Sequence, residues 1–118
     1  SLFFAIFISL YISEKFPKKF QWNMNKIRIY TIDIEVSAED GFPNIQSAAS
    51  EVTAITVHDS VSQTYYVWGT GGYVPHDDTK QISYSECDDE DEMIESFLIW
   101  WEHNYPHIIT GWNCLRLL

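Results

Sequence analysis

Residues 27–36 read Ile-Arg-Ile-Tyr-Thr-Ile-Asp-Ile-Glu-Val. This run of β-branched and aromatic residues favours a β-strand. Side chains two residues apart on a strand point to the same face, so Asp33 and Glu35 are predicted to project together. The opposite face is apolar throughout and carries Tyr30, Ile32, Ile34 and Val36. Since Ile27, Ile29 and Thr31 lie below the acidic pair, the pattern predicts a central strand covered on both faces.

Two carboxylates at the end of a covered strand repel each other and lose hydration unless a cation neutralises them. Oxygen ligands of this kind suit magnesium or manganese. The Asp33-Ile-Glu35 spacing is also common at ordinary solvated strand ends. From these residues alone, both a metal site and a solvated strand end stay open.

The remaining segments predict an α/β sheet. Strands are expected at 51–57 and 64–68, forming a hairpin around Asp59-Ser60, then at 82–84 and 107–110. Apolar residues at three- and four-residue steps predict a helix from Asp88 to Asn104, with Asp88 as its N-cap. The order of elements predicts that the last strand returns parallel to an earlier one.

The first 25 residues differ in character from the rest. Residues 1–12 are apolar but fall short of the roughly 20 that a membrane-spanning helix needs. They show neither the basic start nor the cleavage site of a secretory signal. We interpret residues 1–25 as the tail of a preceding domain or a connector and residues 26–118 as a second unit. A signal or membrane segment is the alternative for residues 1–12.

Charge and cysteine content exclude several classes of site. The formal net charge is −10, and the acids concentrate after residue 30, so the overall field does not attract nucleic acid. Cys87 and Cys114 have no metal-ligand spacing with the histidines, which argues against zinc. The acidic run 88–92 lacks the glycine of a calcium loop, and no helix follows the glycines at 69–72 as a phosphate cradle requires.

Four segments resemble the exonuclease domain of family B DNA polymerases, especially those of T-even-type bacteriophages. They are residues 27–36 with Asp33-Ile-Glu35, Asp40-Gly-Phe-Pro43, residues 52–59, and Ile108-Ile-Thr-Gly-Trp-Asn113. The first is similar to the family's first exonuclease motif and the last to the opening of its second. Their order and spacing agree over residues 11–113.

The resemblance implies that residues 26–118 are the front half of a 3′–5′ exonuclease domain, with an incomplete ribonuclease-H-like fold of a mixed β-sheet and one main helix. It implies metal-dependent hydrolysis at a DNA 3′ end, the proofreading 3′–5′ exonuclease activity of a DNA polymerase. Asp33 and Glu35 would be catalytic ligands of Mg²⁺ or Mn²⁺ in a two-metal site, with Glu35 helping to orient the attacking water. Phe42 and Asn113 would contact DNA.

The resemblance also implies partners and a location. The partners are the single-stranded 3′ end of a primer and the remainder of the polymerase chain, with no membrane. The location is the cytoplasm, that of an infected bacterial host if the source is a phage.

The chain departs from the family's pattern after Asn113. Leu117 and Leu118 stand where the second motif has Phe and Asp, and leucine cannot coordinate a metal. We therefore expect the 118-residue chain to be inactive by itself. Two alternatives stay open: a non-catalytic interaction fragment that keeps half the fold, and a different ribonuclease-H-like nuclease that has lost its other motifs.

Overall fold

The computed structural model describes residues 1–18, 23–37, 47, 50–74, 76 and 78–111. Its helices are α1 (Leu2–Lys15), a short 3-10 helix (Met24–Lys26) and α2 (Glu90–His103). Its strands are β1 (Ile29–Val36), β2 (Val52–Asp59), β3 (Thr64–Gly69), β4 (Gln81–Glu86) and β5 (Ile108–Gly111). The α/β class predicted from the sequence is confirmed.

The strands form one mixed five-stranded sheet in the order β4-β3-β2-β1-β5. β2 pairs antiparallel with both β1 and β3, and its pairing with β3 confirms the predicted hairpin. β5 pairs parallel to β1, with Ile29 opposite Ile108 and Ile32 opposite Gly111, which confirms the predicted parallel return. β4 pairs parallel to β3 at the far edge. β1 therefore lies inside the sheet.

The hydrophobic core lies between this sheet and α2. The buried residues of the core are Tyr30, Ile55, Val57, Trp68, Cys87 and Met93. Trp100 of α2 bridges two strands, because its ring contacts Tyr30 of β1 at a centroid distance of 5.5 Å and Tyr66 and Trp68 of β3 at 4.8 and 5.1 Å. The face of β1 that carries Tyr30 and Ile32 therefore faces the helix.

The start of α2 corrects one prediction. The N-cap is Asp89, whose Oδ1 accepts a 2.8 Å hydrogen bond from the Glu92 N–H. Asp88 instead donates its backbone N–H to Glu92 Oε2 over 2.6 Å. The prediction of Asp88 as N-cap is wrong by one residue, since either aspartate could cap the helix on composition alone.

Helix α1 presents apolar side chains to solvent. None of its residues is buried among the described residues. None of the described helices combines the length and apolar character that crossing a bilayer requires. The assignment of residues 1–25 to a separate unit stays a prediction.

Candidate metal centre

Asp33 and Glu35 project from the same face of β1. Along β1, Tyr30 and Ile32 point to one face, and Asp33 and Glu35 point to the other. Tyr30 packs against α2, so the acidic pair lies on the face away from the helix. Across the sheet, Asp33 pairs with Thr56 and Glu35 with Ala54. The Cα atoms of Asp33 and Glu35 are separated by about 7 Å, the rise of two strand residues. Both carboxylates can therefore reach one hard cation from one side.

The acidic pair is open to solvent. Thr31, Asp33 and Glu35 are all exposed, and Ile34 on the helix-facing side is 44 % exposed. The prediction that β1 is covered on both faces is therefore wrong for the described residues, because α2 covers one face and only as far as Ile32. Loss of hydration thus does not by itself demand a cation at Asp33 and Glu35.

The backbone next to Glu35 is irregular. Glu35 pairs with Ala54 but Val36 pairs with Val52, so Thr53 is an extra residue of β2 that forms a β-bulge. Thr53 Oγ1 donates a 3.3 Å hydrogen bond to the Glu35 carbonyl, and beyond the bulge the Ser37 N–H donates to the Glu51 carbonyl over 2.8 Å. Bulges redirect side chains and are common beside active sites.

The other neighbour of β1 is β5, which begins at a side-chain contact. His107 Nδ1 accepts a 2.8 Å hydrogen bond from the Arg28 N–H, and the His107 N–H donates to the Arg28 carbonyl over 2.8 Å. The pairing then runs until Gly111 lies level with Ile32, one residue before Asp33. Because β1 and β5 are parallel, their carboxyl ends lie side by side, at the end of β1 that carries the acidic pair.

The charges around the pair are sparse. In the described part of the chain, neither Asp33 nor Glu35 forms a salt bridge; the ion pair that is present joins Arg28 Nε to Asp59 Oδ2 over 3.6 Å, at the opposite end of β1. The described ranges also contain no group of three or more His, Cys, Asp or Glu side chains suited to holding a metal. The assignment of Asp33 and Glu35 as metal ligands therefore stays a prediction.

The sequence matches the family model for the exonuclease domain of DNA polymerase family B over residues 4–115. The chain belongs to this family. The five-stranded mixed sheet with α2 on one face is consistent with part of the ribonuclease-H-like fold of a family B exonuclease domain.

Two phage polymerases are similar to this exonuclease segment. It is 30% identical over 126 residues to a DNA-directed DNA polymerase of Escherichia phage RB69 and 29% identical over 126 residues to that of Enterobacteria phage T4. Each match covers 87% of this chain and 14% of the relative. The chain thus spans a small part of the length of these polymerases.

Two of the predicted site residues, Phe42 and Asn113, lie outside the described residues, as do residues 40–43 of the predicted loop and both terminal leucines. Of the predicted set, Asp33 and Glu35 are brought together. Sequence reasoning missed the bulge at Thr53. A bulge with no glycine or proline leaves no local signal in the sequence.

Proposed function

We propose that this segment supplies the first metal-binding acids of a 3′–5′ exonuclease that removes nucleotides from a DNA 3′ end. The observation that carries the proposal is the pair Asp33 and Glu35 on one open face of β1, beside β5, in a chain that belongs to the family B exonuclease domain.

In this proposal, the carboxylates of Asp33 and Glu35 hold Mg²⁺ or Mn²⁺, and Glu35 also accepts a hydrogen bond that orients the attacking water. Bound divalent ions would activate that water and stabilise charge on the leaving 3′ oxygen. They would also offset the repulsion between DNA phosphates and a chain of formal net charge −10. The exposure of both acids leaves room for a phosphate group to approach.

Phe42 and Asn113 are proposed to contact the substrate strand. The aromatic ring would pack against bases of the frayed 3′ end, since stacking tolerates any base. The amide would donate to the strand beside the metal ligands. The proposed partners are single-stranded primer DNA and the remainder of a polymerase chain, in the cytoplasm of a bacterial host.

A digestion assay tests the proposal. A 5′-labelled single-stranded oligonucleotide is incubated with Mg²⁺ and a longer version of this chain that continues through the family's second and third exonuclease motifs. We expect a ladder of shortened products. Asp33→Ala and Glu35→Ala should each abolish the ladder, because two-metal hydrolysis requires the ions at fixed positions.

The matched control is Thr31→Ala, which changes an exposed side chain on the same face of the same strand but removes no carboxylate. It should digest at the parent rate. The 118-residue chain itself should leave the oligonucleotide intact, because Asp33 and Glu35 supply too few ligands for two ions. Digestion that survives Asp33→Ala would contradict the proposal and favour a non-catalytic role for this face.

A further inference from the structure

Glu90, in the first turn of α2, is tied to the sheet. Its Oε1 atom accepts a 2.8 Å hydrogen bond from the backbone N–H of Val52, the first residue of β2. Both residues are half-buried. A carboxylate that accepts from a backbone N–H makes a stronger bond than a neutral acceptor, and the start of a helix favours the negative charge.

The bond occurs where β2 has lost its other neighbour. The last residue of β3, Gly69, pairs with Ala54, and the Thr70 N–H reaches the Thr53 carbonyl over 3.4 Å. Val52 lies past the end of β3, so its N–H has no strand acceptor on that side. The Glu90 carboxylate takes the place of that missing strand.

The anchored residue lies immediately before the bulge. Val52 pairs with Val36, Thr53 is the extra residue, and Ala54 pairs with Glu35. Two hydrogen bonds join the bulge to the β1 side of the sheet: the Thr53 hydroxyl donates to the Glu35 carbonyl, and the Ser37 N–H donates to the Glu51 carbonyl. From α2, it is held by Glu90.

We infer that Glu90 is a positioning residue for Glu35, acting through Val52 and the bulge at Thr53. The hydrogen bond sets the path of β2, and β2 sets the backbone from which the Glu35 carboxylate projects. That this carboxylate then binds a metal rests on the proposed function. The inference assigns a role to one acid of the run 88–92 that the helix N-terminus alone does not explain.

Three variants of the 118-residue chain separate the effect of the hydrogen bond to Val52 from the effect of the Glu90 charge. Glu90→Ala removes the acceptor, whereas Glu90→Gln retains an amide oxygen in its place and removes the charge. Asp91→Ala is the matched control, because Asp91 is an exposed acid of the same helical turn. If Glu90→Ala does not fold, Glu90→Asp replaces it, since this change retains the charge but withdraws the oxygen by one methylene group.

Two measurements are made on each variant by ¹⁵N–¹H NMR. The first is the resonance position and hydrogen exchange of the Glu35 and Ser37 amides, without metal. The second is the Mn²⁺ concentration that broadens the resonances of residues 33–35. In Glu90→Ala we expect shifted amides, faster exchange at Ser37 and a roughly tenfold weaker Mn²⁺ response, the lower end of what losing a supporting contact of a ligand costs. Glu90→Gln should be impaired less than Glu90→Ala, because its neutral amide oxygen retains a weaker bond to Val52, and Asp91→Ala should match the parent.

A folded Glu90→Ala variant with parent-like amides and Mn²⁺ response would overturn the inference. So would a Glu90→Gln variant as impaired as Glu90→Ala, because charge and not the bond to Val52 would then be responsible. If Asp33→Ala leaves the Mn²⁺ response unchanged, the metal assignment fails by itself. The metal-free amide data then decide whether Glu90 positions Glu35.

Discussion

The ring of Tyr30 stacks on the ring of Trp100, with their centroids 5.5 Å apart and their planes inclined by 25°. Tyr30 lies on the same strand as Asp33 but on the opposite face, so this stack holds β1 against α2 while the acidic pair stays open. Such ring pairs add about 0.5–1.5 kcal/mol beyond the burial of their area. The strand that carries the candidate site is therefore held in place by α2 on the face opposite the acidic pair.

The burial of Tyr30 predicts a loss of stability at alkaline pH. Burial, and next the carboxylate of Asp59, raise the pKa of Tyr30 above its ordinary value. In the unfolded chain the phenol ionises at about pH 10, whereas in the folded chain its raised pKa keeps it neutral to a higher pH. The contribution of the buried Tyr30 phenol to the free energy of unfolding is therefore complete below about pH 10. Above it, this contribution declines by up to about 1.4 kcal/mol per pH unit. Urea unfolding of the parent and of Tyr30→Phe between about pH 8 and pH 11 measures the difference. Equal slopes in both proteins would contradict this prediction.

Cys87 should react slowly with thiol reagents. Burial raises the pKa of its thiol, and the carboxylates of Glu92, Asp88 and Asp89 raise it further. The thiolate is the reactive form, so both access and ionisation are reduced. In a Cys114→Ser background, we expect the Ellman reaction at neutral pH to be roughly tenfold or more slower in the folded chain than in urea. Similar rates in the two conditions would show that Cys87 is accessible.

The acidic pair should bind Mn²⁺ weakly. Two carboxylates leave most coordination positions to water, so titration calorimetry should give a dissociation constant of about 1 mM or weaker. Asp33→Ala should weaken binding further, because one of the two ligands is lost. Thr31→Ala, on the same face, should bind like the parent. Unchanged binding in Asp33→Ala would remove the metal assignment.

Removal of residues 1–25 should leave the sheet folded. No residue of α1 is buried, and the core consists of residues from Tyr30 onward. We expect the melting temperature of a chain that starts at residue 26 to lie within about 2 °C of the parent, since a loss of 1 kcal/mol would shift it by about 4–8 °C. Loss of a cooperative transition would show that the first 25 residues contribute to the fold.

The regular elements were predictable because their side-chain periods are simple. The alternation around Asp33 located β1, and the apolar steps from Met93 to Trp101 located α2. Trp100 and Trp101 on this helix are partly buried, and both rings contact Tyr30. The parallel return of β5 followed from the intervening helix.

The features that failed depend on neighbours and not on local sequence. The choice between Asp88 and Asp89 as N-cap depends on where the helix meets the sheet. The bulge at Thr53 depends on a one-residue mismatch between two strands. The exposure of Asp33 and Glu35 depends on which element covers a face, and an apolar strand pattern does not name that element.

The pairing of β1 with β5 also has a consequence in time. Arg28 and His107 are 79 residues apart in the chain, yet their hydrogen bond begins the pairing of β1 with β5. A ribosome adding about 5–20 residues per second needs roughly 4 to 16 seconds to make that stretch. Until then, the strand that bears the acidic pair has one unsatisfied row of backbone donors and acceptors, which can pair with another nascent chain. The segment is most exposed to misassembly while it is being made.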